Sequence, residues 1–184
     1  ACIAIAGSAR AGAAAGPTWT MLLADPPASH TQLSHSAIYD PIRDQMVIFG
    51  GSFFSSGDPD GVAVLPLDAP GWSMVDPPGT APAWRSDHNA IVDPIGDRMV
   101  IFGGDNFASP WINEVWAYDL SGVGGWAQLL TGPAAPSPRT GASAVYDSRR
   151  DQMVIFGGSD RNGSRNDVWA LTFRPAPSWE QIIP

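Results

Sequence analysis

The sequence predicts an all-β protein built from three copies of one four-stranded antiparallel unit, and three observations carry that expectation. The octapeptide DQMVIFGG occupies residues 44–51 and returns as DRMVIFGG at 97–104 and DQMVIFGG at 151–158, so that Gly51, Gly104 and Gly158 lie 53 and 54 residues apart. Trp19, Trp72, Trp126 and Trp179 follow nearly the same interval, at 53, 54 and 53 residues. Two separate landmarks with one period mark an internal repeat, and repeats of this length build radial or solenoid assemblies. The 184 residues also include 18 prolines and 20 glycines, which break long helices, and short apolar runs alternate with clusters of Pro, Gly, Asp and Ser.

Residues 1–16 stand outside the repeat. ACIAIAG followed by SARAGAAAG reads as the remnant of a secretory signal peptide, with a small-residue cleavage site at Ala9, Arg10 and Ala11 and Gly12 as the mature start, or else as a flexible alanine-rich leader. Cys2 is the one cysteine, so no intramolecular disulfide and no cysteine-based metal site is expected. WTMLL at residues 19–23 reads as the fourth strand of a unit that lacks its other three. Whole units follow at about residues 32–76, 85–130 and 139–183.

Within each unit the first strand is small and alternating: SHSAIYD at 34–40, DHNAIVD at 87–93 and GASAVYD at 141–147. A tight turn leads into MVIFGG, which is apolar on both faces and therefore expected to be buried on both. Its terminal glycines permit positive φ and close backbone approach where the chain leaves the sheet. The third strand is VAVLPLD at 62–68, EVWAYDL at 114–120 and DVWALTF at 167–173, and the fourth starts at the recurrent tryptophan. Leu65 takes the place of Trp116 and Trp169, and Pro66 that of Ala117 and Ala170. An exposed edge or a bulge is expected at Pro66.

Four strands of this kind, with the Gly-Gly pair and the spaced tryptophans, resemble the kelch repeat of β-propellers. The resemblance runs from Trp19 to Ile183 and is carried by phrases such as HSAIYDPIRDQMVIFGG and NDVWALTF. It implies a kelch-type β-propeller of three four-stranded blades plus one orphan N-terminal fourth strand. A closed ring takes about 4–8 blades. Three units therefore suggest part of a six- or seven-bladed ring, or half-rings that pair, with self-association through open propeller edges.

In such a meander the loops between strands two and three share one end of the blades with the loops that join one unit to the next, and here those are the long loops. Binding residues tend to sit on loops over a rigid scaffold. Phe53, Phe54, Phe107 and Trp111, with Trp84 on a linking loop, are the aromatic candidates for a ligand face; the alternative is that their rings tuck over blade edges. Arg85 and Arg139 open units two and three at the position of Gln32 in unit one. Their guanidinium groups are placed either to grip a carboxylate or to bind loop carbonyls and acids within the scaffold.

Catalytic and metal chemistry is poorly supplied. His35 and His88 are equivalent positions, matched by Ala142 in unit three, and core or turn hydrogen bonding is the expected role; His30 has no counterpart. SDRNGSRND at 159–167 and GDPDG at 57–61 are oxygen-rich, but no glutamate closes a calcium loop and turn chemistry accounts for both. No nucleophile elbow, HExxH helix, phosphate loop or dinucleotide fingerprint occurs. The copper radical chemistry of galactose-oxidase-like propellers needs a cysteine–tyrosine cross-link and paired histidines, which nothing here matches. The formal charge of −8 comes without a basic block, and Arg149 and Arg150 read as a solvated turn, so nucleic acid is not expected as a partner. No run of about 20 apolar residues predicts a membrane span.

The expectation is therefore a non-catalytic binding module, secreted, periplasmic or on the cell surface, whose long-loop face takes a protein or a carbohydrate, with no cofactor and no metal. The alternative is a piece of a glycan-modifying or oxidoreductase propeller enzyme whose catalytic residues lie in other blades.

Overall fold

The computed structural model describes residues 18–22, 32–53, 61–106 and 108–183, among which every regular element is a strand. The leader at 1–16, His30, Phe54 and Phe107 lie outside these residues. Three four-stranded antiparallel sheets succeed one another, each a meander in which consecutive strands are neighbours. Blade one contains Ser36–Asp40, Gln45–Phe49, Val62–Pro66 and Ser73–Val75. Blade two contains Asn89–Asp93, Arg98–Phe102, Val115–Asp119 and Trp126–Leu129. Blade three contains Ser143–Asp147, Gln152–Phe156, Val168–Thr172 and Ser178–Ile183.

The turn between strands one and two is written by its two aspartates. The first closes an Asx turn: Asp40 Oδ1 accepts from the backbone N–H of Ile42 at 3.0 Å, and Asp93 Oδ1 accepts from Ile95 and Gly96 at 3.1 and 3.0 Å. The second takes positive φ, at 47° for Asp44, 46° for Asp97 and 56° for Asp151, a conformation Asp tolerates better than most side chains. At the other end of the second strand Gly104 sits at φ 93°, and a Cβ there would lie 2.6 Å from Ser86 O. Only glycine lets the end of this strand approach the segment that leads into the same blade this closely.

The blades pack in layers, and the period-two alternation of each strand gives every blade two apolar faces. The leading face of blade one, with Ile38, Val47, Phe49 and Val62, buries against the trailing face of blade two, with Met99, Ile101, Tyr118, Leu120 and Trp126. Blade two presents Ile91, Val100, Phe102 and Val115 in turn to Met153, Ile155, Leu171, Phe173 and Trp179 of blade three. At each junction the fourth-strand tryptophan meets a second-strand phenylalanine: Phe49 and Trp126 have centroids 4.6 Å apart, Phe102 and Trp179 5.1 Å.

Three sequence expectations are corrected. Pairing of Phe49 with Val62 and of Phe102 with Val115 sets the third-strand register, so Ala63, not Leu65, is the counterpart of Trp116, and Pro66 is the counterpart of Asp119. Of the two outcomes expected at Pro66, the bulge does not form, since Pro66 pairs regularly with Gln45, but the open edge does, since no fourth-strand residue pairs with it; the irregularity falls at Val168 and Trp169 in blade three. Asp119 donates its N–H to Gly125 O at 3.2 Å on the fourth-strand side, and Pro66 has no N–H to donate. The fourth strand of blade one accordingly pairs no further than Val64 with Ser73, whereas in blade two Tyr118 also pairs with Trp126. The lone strand expected at 19–23 does not form over the described residues 18–22, where Trp19 is 71% exposed. Each of the three described blades already carries its own fourth strand on the third, so among the described residues no third-strand edge remains to receive it.

Candidate functional site

The meander places the segments following strand two and those preceding strand one at the same end of every blade. Short pairings pin them together: Gln32–Leu33 with Ser52–Phe53, Ser86 with Asp105, and Thr140 with Ser159. Ser159–Asp160 folds back on Gly163–Ser164 as a small hairpin within the segment expected to be a loop. Its Asp160 is buried and fully engaged, with Oδ1 accepting from Asn162 N at 2.8 Å and Oδ2 from Ser137 Oγ at 2.7 Å and Arg165 Nε at 2.8 Å. Arg165 holds the carboxyl far below the usual range.

Beneath the long loops lie two matching triads. Arg85, 0% exposed, donates Nη2 to Glu114 Oε2 at 2.8 Å, Nη1 to Gly103 O at 3.3 Å and Nε to Ala83 O at 3.1 Å. Glu114 also accepts from Trp116 Nε1 at 3.0 Å. In blade three Arg139 binds Asp167 through both nitrogens at 2.6 and 2.9 Å, and Trp169 Nε1 donates to the same carboxylate at 2.8 Å. Burial alone would raise Glu114, but the hydrogen bonds from Arg85 and Trp116 bring it below its ordinary value; Arg139 does the same for Asp167. Blade one lacks the whole set, with Gln32, Gly61 and Ala63 at the three positions.

Arg85 and Arg139 are thus scaffold, not ligand grips. Their backbone carbonyls extend the scaffold to the preceding blade, accepting from Gly51 N and Gly104 N, each at 2.9 Å. Of the aromatic candidates, Trp84 is half-buried and donates Nε1 to Gly51 O at 2.7 Å. Trp111 is half-buried on the 103–114 loop, where its carbonyl accepts from Ser109 Oγ at 2.8 Å. Phe53 ends the short pairing with Gln32. The sequence reading missed Glu114 and Asp167; the signal was that an acid opens the third strand only in the copies that carry the arginine.

The described residues contain no cluster of three ligand-type side chains. His88 is buried at the first junction, its Nε2 2.5 Å from Ser36 Oγ and its ring edge-on to Phe49. Desolvation, with Arg85 nearby, pushes its pKa down to about 3 from an ordinary 6.5. Between those values the unfolded chain binds a proton that the folded chain refuses, so stability falls as pH drops from about 6.5 toward 3. Urea melts at about pH 7 and pH 5 should differ by up to ~2 kcal/mol more in the native chain than in His88→Asn. Equal pH slopes would contradict the burial of a neutral imidazole.

The opposite end of the blades carries tight turns clamped by ion pairs. Arg43 reaches from blade one to Asp97 of blade two at 2.8 and 2.5 Å, and Arg174 from blade three to Asp93 at 2.9 Å and to Asp151. Arg150 is exposed in its turn beside Asp147, as expected of a solvated tip.

A family model described as the KLHDC2/KLHL20/DRC7 Kelch-repeats domain matches residues 34–184. Leucine-zipper-like transcriptional regulator 1 homolog of Drosophila melanogaster is 30% identical over 147 residues, which cover 76% of this chain and 14% of that protein. Dynein regulatory complex subunit 7 of Chlamydomonas reinhardtii is 29% identical over 118 residues, covering 64% of this chain and 10% of that protein. The chain therefore spans only a small part of these relatives. The solved structure of YjhT superposes with a TM-score of 0.67 at 14% identity, over 89% of this chain and 54% of that one, a likeness of fold. With the Gly-Gly ends, the layered meanders and the match over residues 34–184 in agreement, the chain belongs to the kelch-repeat family.

Proposed function

We propose that this chain is a non-catalytic module, exported or displayed at the cell surface, that holds a protein partner on its long-loop face. The observation that carries the reading is the contrast between the two ends of the blades. At one end short turns are clamped from blade to blade by Arg43–Asp97 and Arg174–Asp93. At the other, in blades two and three, loops of different sequence stand on the buried Arg85 and Arg139, a shared base under variable segments. The relatives' names, a transcriptional regulator homolog and a regulatory complex subunit, suit a module that works by docking. Glu114, Asp160 and Asp167 at this end are each engaged by an arginine and Asp105 accepts from Ser86 Oγ, which favours a binding role over acid–base catalysis. Export rests on the alanine-rich leader read from the sequence. Protein is favoured over carbohydrate because Trp84 and Trp111 are half-buried rather than open stacking platforms.

A photo-cross-linking residue at the exposed positions Ala108 and Ala134 should capture partner severalfold more efficiently than one at Val123 and Ser148 on the turn end. Cell-surface and medium fractions are to be probed alongside whole cells. Equal or stronger capture from the turn end would overturn the assignment.

A further inference from the structure

We propose that Asn162 is a self-modifying site: at the tip of the blade-three hairpin its side-chain amide is lost to attack by the backbone nitrogen of Gly163, which turns the residue into aspartate or isoaspartate. Such a reaction asks for an asparagine followed by glycine, a tip open to water and a side chain that nothing else holds. Of the five asparagines in the chain, Asn162 alone precedes a glycine. Asn162 and Gly163 are both exposed, and a Cβ at Gly163 would meet nothing within 4 Å. Neither a side chain at residue 163 nor a neighbouring segment therefore bars its nitrogen from Asn162 Cγ. Asn162 N donates to Asp160 Oδ1 at 2.8 Å, and the side-chain amide has no partner among the described residues. The other asparagines are better guarded. Asn89 is half-buried in its strand, Asn106 Oδ1 accepts from Ala108 N and Ser109 N at 3.0 and 2.7 Å, and Asn113 Nδ2 donates to Pro136 O at 3.4 Å. Asn166 is exposed, but its following residue is Asp167, whose side chain crowds the attacking nitrogen.

The hairpin holds its base and frees its tip. Arg165 N donates to Gly158 O at 2.8 Å, and Ser159 N to Thr140 O at 2.9 Å, which ties the base to the blade. Above it only Ser159 with Ser164 and Asp160 with Gly163 are paired, so release of Gly163 for attack opens a single pair. Nucleophile and target then sit on adjacent residues, with the advantage that proximity gives an intramolecular step. Gly163 N loses its proton to solvent base and bonds to Asn162 Cγ; the Cγ–Nδ2 bond breaks and the nitrogen leaves as ammonia, protonated by water. A five-membered succinimide ring results. Water opens it at Cγ to give aspartate, or at the backbone carbonyl of residue 162 to give isoaspartate, so one water is consumed for each ammonia released.

Two consequences follow for the long-loop end. Residues 159–166 carry Arg161 and Arg165 against Asp160, a cationic tip on a chain of formal charge −8, and the new carboxylate cancels that surplus. The isoaspartate branch also lengthens the backbone of the turn by one carbon, so Gly163 no longer falls opposite Asp160. Aged molecules thus present a different tip from new ones, whatever the end binds.

The test is to hold the folded full chain in warm, mildly alkaline buffer for days, digest samples at acidic pH to stop further reaction, and map the peptides by mass spectrometry. Asn162 should gain about one mass unit, in two chromatographically distinct products, at least several times faster than Asn89, Asn106, Asn113 or Asn166. Asn162→Gln should abolish that gain and leave the thermal melt in place. Conversion at Asn162 in the urea-unfolded chain but not in the folded one would show that the hairpin protects the site, and would overturn the proposal. Conversion no faster than at Asn166 would overturn it equally. Both readouts are of covalent mass and stand apart from the cross-linking that tests the long-loop reading.

Discussion

Phe102→Ala should lower the unfolding free energy by about 3–5 kcal/mol, the loss expected when a fully buried aromatic leaves a cavity that its neighbours cannot fill. Phe102 has no exposed surface, and it lies at the junction of two blades against Trp179 of blade three. The cavity would therefore open between layers that the tight turns and Gly-Gly ends hold at fixed spacing, which limits collapse. Arg149→Ala, in a solvent-exposed turn, should stay within about 0.5 kcal/mol. Urea melts of the two variants make the comparison, and similar midpoints would mean that the leading face of blade two is not a sealed layer.

Arg139→Ala should cost about as much, ~3–5 kcal/mol, by a different route. The mutation strands Asp167, whose side chain is 13% exposed, without its counter-charge, and takes donors from Gly157 O and Ser137 O. The backbone carbonyl of residue 139 still receives Gly104 N, so the register between blades two and three persists while the loops above lose their anchor. Arg139→Lys should recover little, because a single ammonium cannot reproduce the forked pair of bonds to Asp167. Full stability in Arg139→Lys, measured by thermal melt, would show that charge alone suffices.

The strand order was legible because Gly51, Gly104, Gly158 and the tryptophans state it redundantly, and the strands fall within a residue or two of the repeated phrases. The third strand of blade one was placed two residues out of step because string similarity favoured Leu65 over Ala63 as the match to Trp116, whereas register is decided by the pairing of Phe49 with Val62. That slip hid the triads: once Ala63 is aligned with Trp116, the arginine, acid and tryptophan are seen to be present together in blades two and three and absent together from blade one. Whether Arg85 turned inward or outward was not written in its own identity. It depended on Glu114, 29 residues away, and on the carbonyl left by Gly103. Trp19 misled because a tryptophan at the right interval makes a strand only where a neighbouring edge can pair with it.

The layering of leading face upon trailing face also says something about how such a gene can grow. Each repeat is shaped to its own kind on both sides, so gain or loss of one copy leaves every remaining junction apolar. Divergence between copies then acts as an address. Ser36 with His88 and Arg43 with Asp97 suit one neighbour, while Arg174 with Asp93 suits another. Copies that fold interchangeably are in this way given a fixed order around an axis, and a shuffled repeat would fold well but sit beside the wrong neighbour.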